Sequence, residues 1–196
     1  MSEIESIGQF DNMNLKENLL RGIYGYGFEK PSTIQQKAIV PLINGKDLIA
    51  QAQSGSGKTG AFCIGALEKI DTNINSVQII ILSHTKELAQ QTFNVFNNLG
   101  EFMNIKSSLL IGGINIDESK KILKKGVHAI IGTPGRVLHM LNDKCFNINK
   151  MKLLIIDEAD ELLSIGFEEQ LRNIIEILDN NIQIGLFSAT LSEKCL

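Results

Sequence analysis

The chain has 196 residues, 43% hydrophobic and 21% charged, a balance that suits one α/β domain with a sizeable core and excludes extensive disorder. With 22 Asp and Glu against 19 Lys and Arg, the net charge is −3. No global positive field gathers nucleic acid, so any such ligand must be held by helix N-termini and a few placed side chains, with a shallow salt dependence.

From the N-terminus, residues 1–9 read as a flexible lead-in. An amphipathic segment follows, with Asn14 and Glu17 in the pattern of a helix start and Gly25 and Gly27 ending it. Ser32-Thr33-Ile34-Gln35 opens a second helical segment, which Pro41 should disturb. Short apolar runs then alternate with helical patterns. Strands are predicted near 47–52, 77–83, 107–111, 128–132, 152–157 and 183–188. Helices are predicted near 58–70, 85–99, 116–125, 134–142 and 167–179. The runs 77–83 and 152–156 are apolar without alternation, as in strands covered on both faces. Gly100 and Gly126 stand where helices should stop, and Thr133 places a capping hydroxyl before the first-turn Pro134. This repetition predicts an α/β fold, a mostly parallel β-sheet with helices on both faces, in one domain.

Cys63, Cys145 and Cys195 are odd in number and widely spaced, which fits a reducing compartment with neither a disulfide framework nor a zinc site. No apolar stretch approaches the ~20 residues of a membrane span, and the first twenty residues lack the apolar core of a signal peptide. The expectation is a cytoplasmic or nuclear protein, monomeric, away from membranes.

Two segments carry chemistry. Ala52-Gln53-Ser54-Gly55-Ser56-Gly57-Lys58-Thr59 follows the apolar run Leu48-Ile49-Ala50 and precedes a helical pattern. Gly55 and Gly57 permit positive φ and close backbone approach, so the amides of Ser54, Gly55, Ser56 and Gly57 can turn toward phosphate oxygens. Lys58 is placed to reach the β- and γ-phosphates, and the Thr59 hydroxyl to coordinate Mg2+. Ala52 stands where the general phosphate-loop pattern has its first glycine. The plainer alternative is a glycine-rich turn before a helix. Asp157-Glu158-Ala159-Asp160 follows the apolar run Met151-Lys152-Leu153-Leu154-Ile155-Ile156, at the strand end where open α/β sheets place ligands. Asp157 is the expected metal carboxylate, through water, and Glu158 the group that orients and deprotonates an attacking water. An acidic cluster at a helix start competes with this reading for Asp160 and Glu161. For Asp157 and Glu158, two charges continuing a core strand demand a cation.

Asp-Glu-Ala-Asp with this loop resembles the DEAD-box ATP-dependent RNA helicases, whose N-terminal domain is a RecA-like P-loop domain. Gly27-Phe28-Glu29-Lys30-Pro31-Ser32-Thr33-Ile34-Gln35 is similar to the adenine-reading Q motif of that family. The resemblance implies that Gln35 bonds the adenine edge, with Phe28 packed on the base and Lys30 beside it. Ser32 and Gln35 also form a capping-box pair, with Gln35 folding back on its own helix, and Phe28 and Phe10 also suit the core. Ser188-Ala189-Thr190 resembles the motif that couples nucleotide to RNA, which implies a hydrogen bond from Asp160 to Ser188 or Thr190. The RNA-facing motifs are Thr133-Pro134-Gly135-Arg136, the pair Gly112-Gly113, and His84-Thr85-Lys86-Glu87-Leu88-Ala89. They imply RNA contacts from Thr85, Lys86, Gly112, Gly113, Thr133, Gly135 and Arg136. His84 and Lys86 replace the proline and arginine usual in that last motif. Lys86 keeps the charge without the planar fork and also reads as a solvated residue. His84 reads as a satisfied side chain at a strand end in preference to a proton switch.

The stretch from Phe10 to Gln35 resembles the eukaryotic translation initiation factor 4A subfamily and its exon-junction relatives. The resemblance covers the chain after residue 9. It implies a helicase first domain over 10–196, cut short at its C-terminal end, with the second RecA-like domain absent. It further implies ATP or ADP and Mg2+ as cofactors, and single-stranded RNA held by its backbone with little sequence preference. Translation-initiation or exon-junction proteins are the implied partners. An ATP-gated RNA clamp, and a P-loop NTPase unrelated to RNA, are the competing functions. In isolation the segment should bind nucleotide weakly and turn over little.

Overall fold

The computed structural model describes residues 8–179 and 181–190. Most of the predicted lead-in, residues 1–7, therefore lies outside the described residues, as does Cys195. A short 3-10 turn, Phe10–Met13, precedes α1 (Glu17–Gly25) and α2 (Thr33–Ile43). Strand and helix then alternate: β1 (Leu48–Gln51), α3 (Lys58–Lys69), β2 (Ile79–Leu82), α4 (Lys86–Leu99) and β3 (Ser107–Leu110). The series continues with α5 (Ile116–Lys124), β4 (Ala129–Gly132), α6 (Pro134–Asn142) and β5 (Leu153–Asp157). It ends with α7 (Ala159–Ser164), α8 (Glu168–Ile177) and β6 (Gln183–Ser188).

The six strands form one sheet in the order β1-β6-β5-β2-β4-β3, and every pairing is parallel. The continuous apolar runs explain its position. Ile79 and Ile81 of β2, Ile131 of β4 and Ile155 of β5 enter one core with Ile39, Phe62 and Phe96. Their alternate neighbours Ile80, Leu82, Ile130, Leu154 and Ile156 enter the other, with Val137, Met140, Leu162 and Ile174. A period of two thus sends successive residues to opposite faces, and both faces are covered. Among the described residues, no helix is long and apolar enough to cross a membrane.

Three local expectations are corrected. Asn14 does not cap α1; it sits in the left-handed region (φ 54°), and Lys16 occupies the cap position. Lys16 spends its backbone N–H on Glu68 Oε2 (2.8 Å) and its ammonium on the carbonyls of Glu68 (2.6 Å) and Ile70 (2.7 Å). A cation on the free carbonyls that end α3 thus outweighs the local Asn-x-x-Glu signal. Pro41 does not interrupt α2, which runs to Ile43; Asn44 N–H still bonds Val40 O (3.0 Å), so the helical ladder resumes past the residue that lacks a donor. Thr133 occupies the cap position of α6, but its side chain makes no capping bond.

Gly22 sets the approach of α1 to α4. A Cβ there would lie 1.9 Å from the carbonyl oxygen of Leu99, a backbone atom that cannot swing aside. Gly22→Ala is expected to destabilise the fold by about 2–3 kcal/mol, the upper range of overpacking costs. Urea unfolding at unchanged slope checks it, and a loss within experimental error would refute the steric role.

Candidate nucleotide and nucleic-acid site

The glycine-rich loop joins β1 to α3 at the carboxyl rim of the sheet. Gly55 (φ 80°) and Gly57 (φ 93°) both take the left-handed backbone that glycine adopts without penalty. Gly57 is the residue before α3, so free amides and the positive end of the helix point into the same space as Lys58 and Thr59. Asp157 ends β5 on that rim, separated from β1 only by β6.

Lys58 joins the two segments across 99 intervening residues. Its ammonium lies 3.2 Å from Asp157 Oδ1 and 3.2 Å from Glu158 Oε1, and both Lys58 and Asp157 are buried. Burial pushes the Asp157 carboxyl above its usual range, and the Lys58 charge offsets only part of that shift. Glu158 stands in the left-handed region (φ 50°, ψ 54°), which turns its carboxylate back over the loop as α7 begins. A non-glycine residue held there costs about 1–3 kcal/mol and is characteristic of functional sites. His84, just past β2, brings Nδ1 to 3.1 Å from Glu158 Oε2. The carboxylate of Glu158 therefore lies between Lys58 and His84.

A cavity of about 510 Å3 opens over these groups, lined by Tyr26, Phe28, Gly55, Lys58, Thr59 and Glu158. Tyr26 was not singled out from the sequence; its place two residues before Phe28, beyond the helix end, was the available signal. The rings of Tyr26 and Phe28 meet edge to face at 5.0 Å, and Phe10 stacks behind Phe28 at 6.4 Å while itself fully buried. Lys30 is exposed on the same segment. Gln35 is buried and serves two internal partners: Oε1 accepts from Ser32 N–H (2.8 Å), and Nε2 donates to Gly57 O (3.2 Å). Gln35 thus makes its half of the capping box while the Ser32 hydroxyl makes no capping bond, and the Gln35 side chain also ties the aromatic segment to the phosphate loop. A larger groove, about 710 Å3 between α4, β3 and α5, has no carboxylate, histidine or cysteine in its lining.

Ser188-Ala189-Thr190 fastens the loop to the acidic segment. Ala52 N–H donates to Ser188 O (2.9 Å), and Gln51 Nε2 donates to Ala189 O (3.1 Å). Asp160 Oδ2 accepts from Thr190 N–H (3.0 Å) and Oγ1 (2.8 Å), while Asp160 N–H donates to Ser188 Oγ (3.2 Å). Burial alone would raise the Asp160 carboxyl, but the hydrogen bonds from Thr190 and Ser188 outweigh it and hold it below the usual range.

The remaining predicted residues gather on the same rim, at the ends of β2, β3 and β4. Thr85 caps α4, its hydroxyl accepting from Leu88 N–H (3.2 Å). Lys86 is exposed and lies along Gly112, where an added Cβ would come 3.2 Å from its Cε. Gly113 (φ 96°) turns the chain beyond. Arg136 donates to Ile114 O (2.8 Å), so part of its fork pins this glycine turn. Thr133 is half-buried, and Gly135 is exposed, with open space where its Cβ would stand.

The donor set suits Mg2+ that arrives with phosphates. Asp157 Oδ1 is buried and faces the Lys58 ammonium at 3.2 Å without an aligned hydrogen bond, and Thr59 stands in the first turn of the adjacent helix. Among the described residues no cluster of three or more His, Cys, Asp or Glu side chains could hold a metal ion. One or two protein oxygens completed by phosphate and water is the usual arrangement for Mg2+.

Comparison with known proteins identifies the family and the fold. The family model for DEAD/DEAH box helicase matches residues 32–196, and the chain belongs to that family. It is 51% identical over 192 residues to eukaryotic initiation factor 4A of Drosophila melanogaster, covering 98% of this chain and 48% of the relative. The protein of that name from Dictyostelium discoideum is 52% identical over 192 residues, at 98% and 47% coverage. The chain thus spans about half the length of the curated relatives it matches. Among solved structures, a DEAD box protein from Methanococcus jannaschii superposes with TM-score 0.91 at 37% identity, over 96% of this chain and 52% of that one. S. cerevisiae Dbp5 bound to RNA and ADP BeF3 superposes with TM-score 0.89 at 35% identity, over 96% and 48%.

Two outcomes follow from the charges. The raised Asp157 carboxyl makes its ionised form a cost to the ligand-free fold, present at pH 7 and lost as pH falls through the raised value. Asp157→Asn relieves that cost but leaves the buried Lys58 ammonium with Glu158 alone, so the clean readout is the ligand response: the rise in thermal midpoint produced by Mg2+ with ADP should be lost. Thermal scans with and without nucleotide read it, and a wild-type rise in the variant would contradict the role of Asp157. Asp160 has the opposite sign. Its hydrogen bonds stabilise fully above the ordinary carboxylate range, near pH 4, and that contribution is lost as pH falls through the depressed value. Thr190→Val, by removing the Oγ1 donor, should make stability less steep in pH on the acid side; an unchanged pH profile would count against the bond.

Proposed function

We propose that this chain is the ATP-binding, RecA-like first domain of an ATP-dependent RNA helicase that opens short RNA duplexes. The observation that carries the reading is Lys58 seated between Asp157 and Glu158, on the same rim as the turns at Thr85, Gly112 and Thr133. The names of the matched relatives support it and favour translation initiation as the setting. Because those relatives are about twice as long, activity belongs to the full-length protein, in which a second domain completes the cleft. This chain alone is expected to bind nucleotide weakly and hydrolyse little.

Each residue has a role in that scheme. Phe28, Lys30 and Gln35 receive the adenine, with Tyr26 extending the aromatic wall. Gln35 keeps one amide hydrogen and one carbonyl lone pair beyond its internal bonds, enough for a base edge. The amides of Ser54 through Gly57 and the ammonium of Lys58 bind the phosphates, drawing Lys58 off its carboxylate partners. Thr59 and, through water, Asp157 would hold Mg2+, which would supply charge neutralisation at the transferring phosphate. Glu158 orients the attacking water and takes its proton as the bond to the leaving diphosphate breaks. Asp160, Ser188 and Thr190 couple the nucleotide end of the rim to the RNA end. RNA is held by its backbone at the helix starts and glycine turns, with Lys86 and Arg136 supplying charge.

Glu158→Gln in the full-length protein should retain ATP binding and lower RNA-stimulated turnover by about 10²–10⁴, the contribution of a positioned base. Lys58→Ala should weaken binding as well. Nucleotide titration beside ATPase rates with and without single-stranded RNA separates the two, and normal turnover in Glu158→Gln would overturn the assignment of the base.

A further inference from the structure

We propose that His84 is a positioning residue for Glu158, holding the carboxylate in place once Lys58 moves to the phosphates. This rests on the helicase reading above and adds a residue that reading does not use. His84 Nδ1 is buried and has no aligned hydrogen-bond partner, yet Glu158 Oε2 lies 3.1 Å away. Nδ1 is thus a polar atom close enough to bond but not yet well aligned. Such contacts in ligand-free sites commonly tighten when substrate binds. The charged groups gathered at this contact are Lys58, Asp157 and Glu158.

The backbone that carries His84 is fixed on both sides. Ser83 N–H donates to Gly132 O (3.0 Å), and Thr85 caps α4 through Leu88 N–H (3.2 Å). The imidazole therefore projects from a short, braced turn between the end of β2 and the start of α4. In the ligand-free site Lys58 holds Oε1 and His84 faces Oε2. When nucleotide draws Lys58 away, the imidazole remains as a donor to the carboxylate. Thr85 and Lys86, proposed to meet RNA, follow His84 directly in the chain, so movement of that turn reaches Glu158 through one side chain.

Two measurements test this. In the chain isotopically labelled at its three histidines, Glu158→Gln should shift the ring nitrogens of His84 and leave His128 and His139 in place. An unmoved His84 signal overturns the proposal whatever the turnover. In the full-length protein, His84→Ala should lower RNA-stimulated kcat about 10-fold, part of what a positioned base supplies, with KM for ATP held within about 2-fold. His84→Asn places an amide nitrogen at the same bond distance from Cβ as Nδ1 and should recover most of that loss. Wild-type kcat in His84→Ala, or an Asn variant no better than Ala, overturns the proposal. If the unaltered full-length protein shows no RNA-stimulated turnover, the helicase reading fails instead, and the ring shift decides the contact.

Discussion

Lys58 reaches two carboxylates across the end of β6 on one rim of the sheet, and the rest of the site is arranged around that contact. A buried ammonium is tolerable only beside opposite charge, and a buried carboxylate continuing a strand has the same requirement. In the ligand-free chain each meets the other's need, at 3.2 Å. Any polyphosphate entering the loop competes for the lysine. A divalent cation carried with it would replace the Lys58 charge beside Asp157. On the proposed reading both states would be close to electrically balanced, and binding would be an exchange of partners with little net desolvation of charge.

That exchange needs the loop and the acidic segment to keep a fixed separation, and β6 provides it. Lying between β1 and β5, it accepts from Ala52 through Ser188 O, and Thr190 just beyond it donates to Asp160. Phosphate loop, acidic segment and the Ser-Ala-Thr turn therefore form one hydrogen-bonded unit, although their residues lie up to about 140 positions apart. The all-parallel sheet is what makes this workable, because every strand delivers its carboxyl end to one rim.

The element order and strand positions were legible because they depend on local rules. An apolar run of four or five residues can be a strand buried on both faces, and a glycine-lysine-threonine turn can begin a helix. Legibility failed where a distant partner decided the outcome. Asn14 and Glu17 look like a helix start, but Lys16 answers to the carbonyls at the end of α3, some fifty residues on. The short helix α7 was hidden because Glu158 changes from strand to left-handed backbone within one residue, leaving no loop to mark the boundary. Gln35 admitted two readings, a cap or a ligand contact. The structure gives the cap and adds Gly57 O, a partner 22 residues away that capping patterns do not encode.

The strand order also bears on how two ligands could communicate on one rim. β5 leads into Glu158, proposed to act on the nucleotide, and β2 leads into the first of the turns proposed to meet RNA; they are neighbours, paired in register from Ile79 with Leu153 to Leu82 with Ile156. The boundary between the two halves is therefore a single interstrand spacing, ~5 Å. His84 and Glu158 are the side chains that meet across it. A proline at position 84 would stiffen the turn but offer no donor, whereas histidine brings a polar ring to the carboxylate while the bonds of Ser83 and Thr85 keep the turn rigid. For a chain of net negative charge, short-range contacts of this kind are a better means of coupling than a broad electrostatic field, because they act over one hydrogen bond and are little affected by salt.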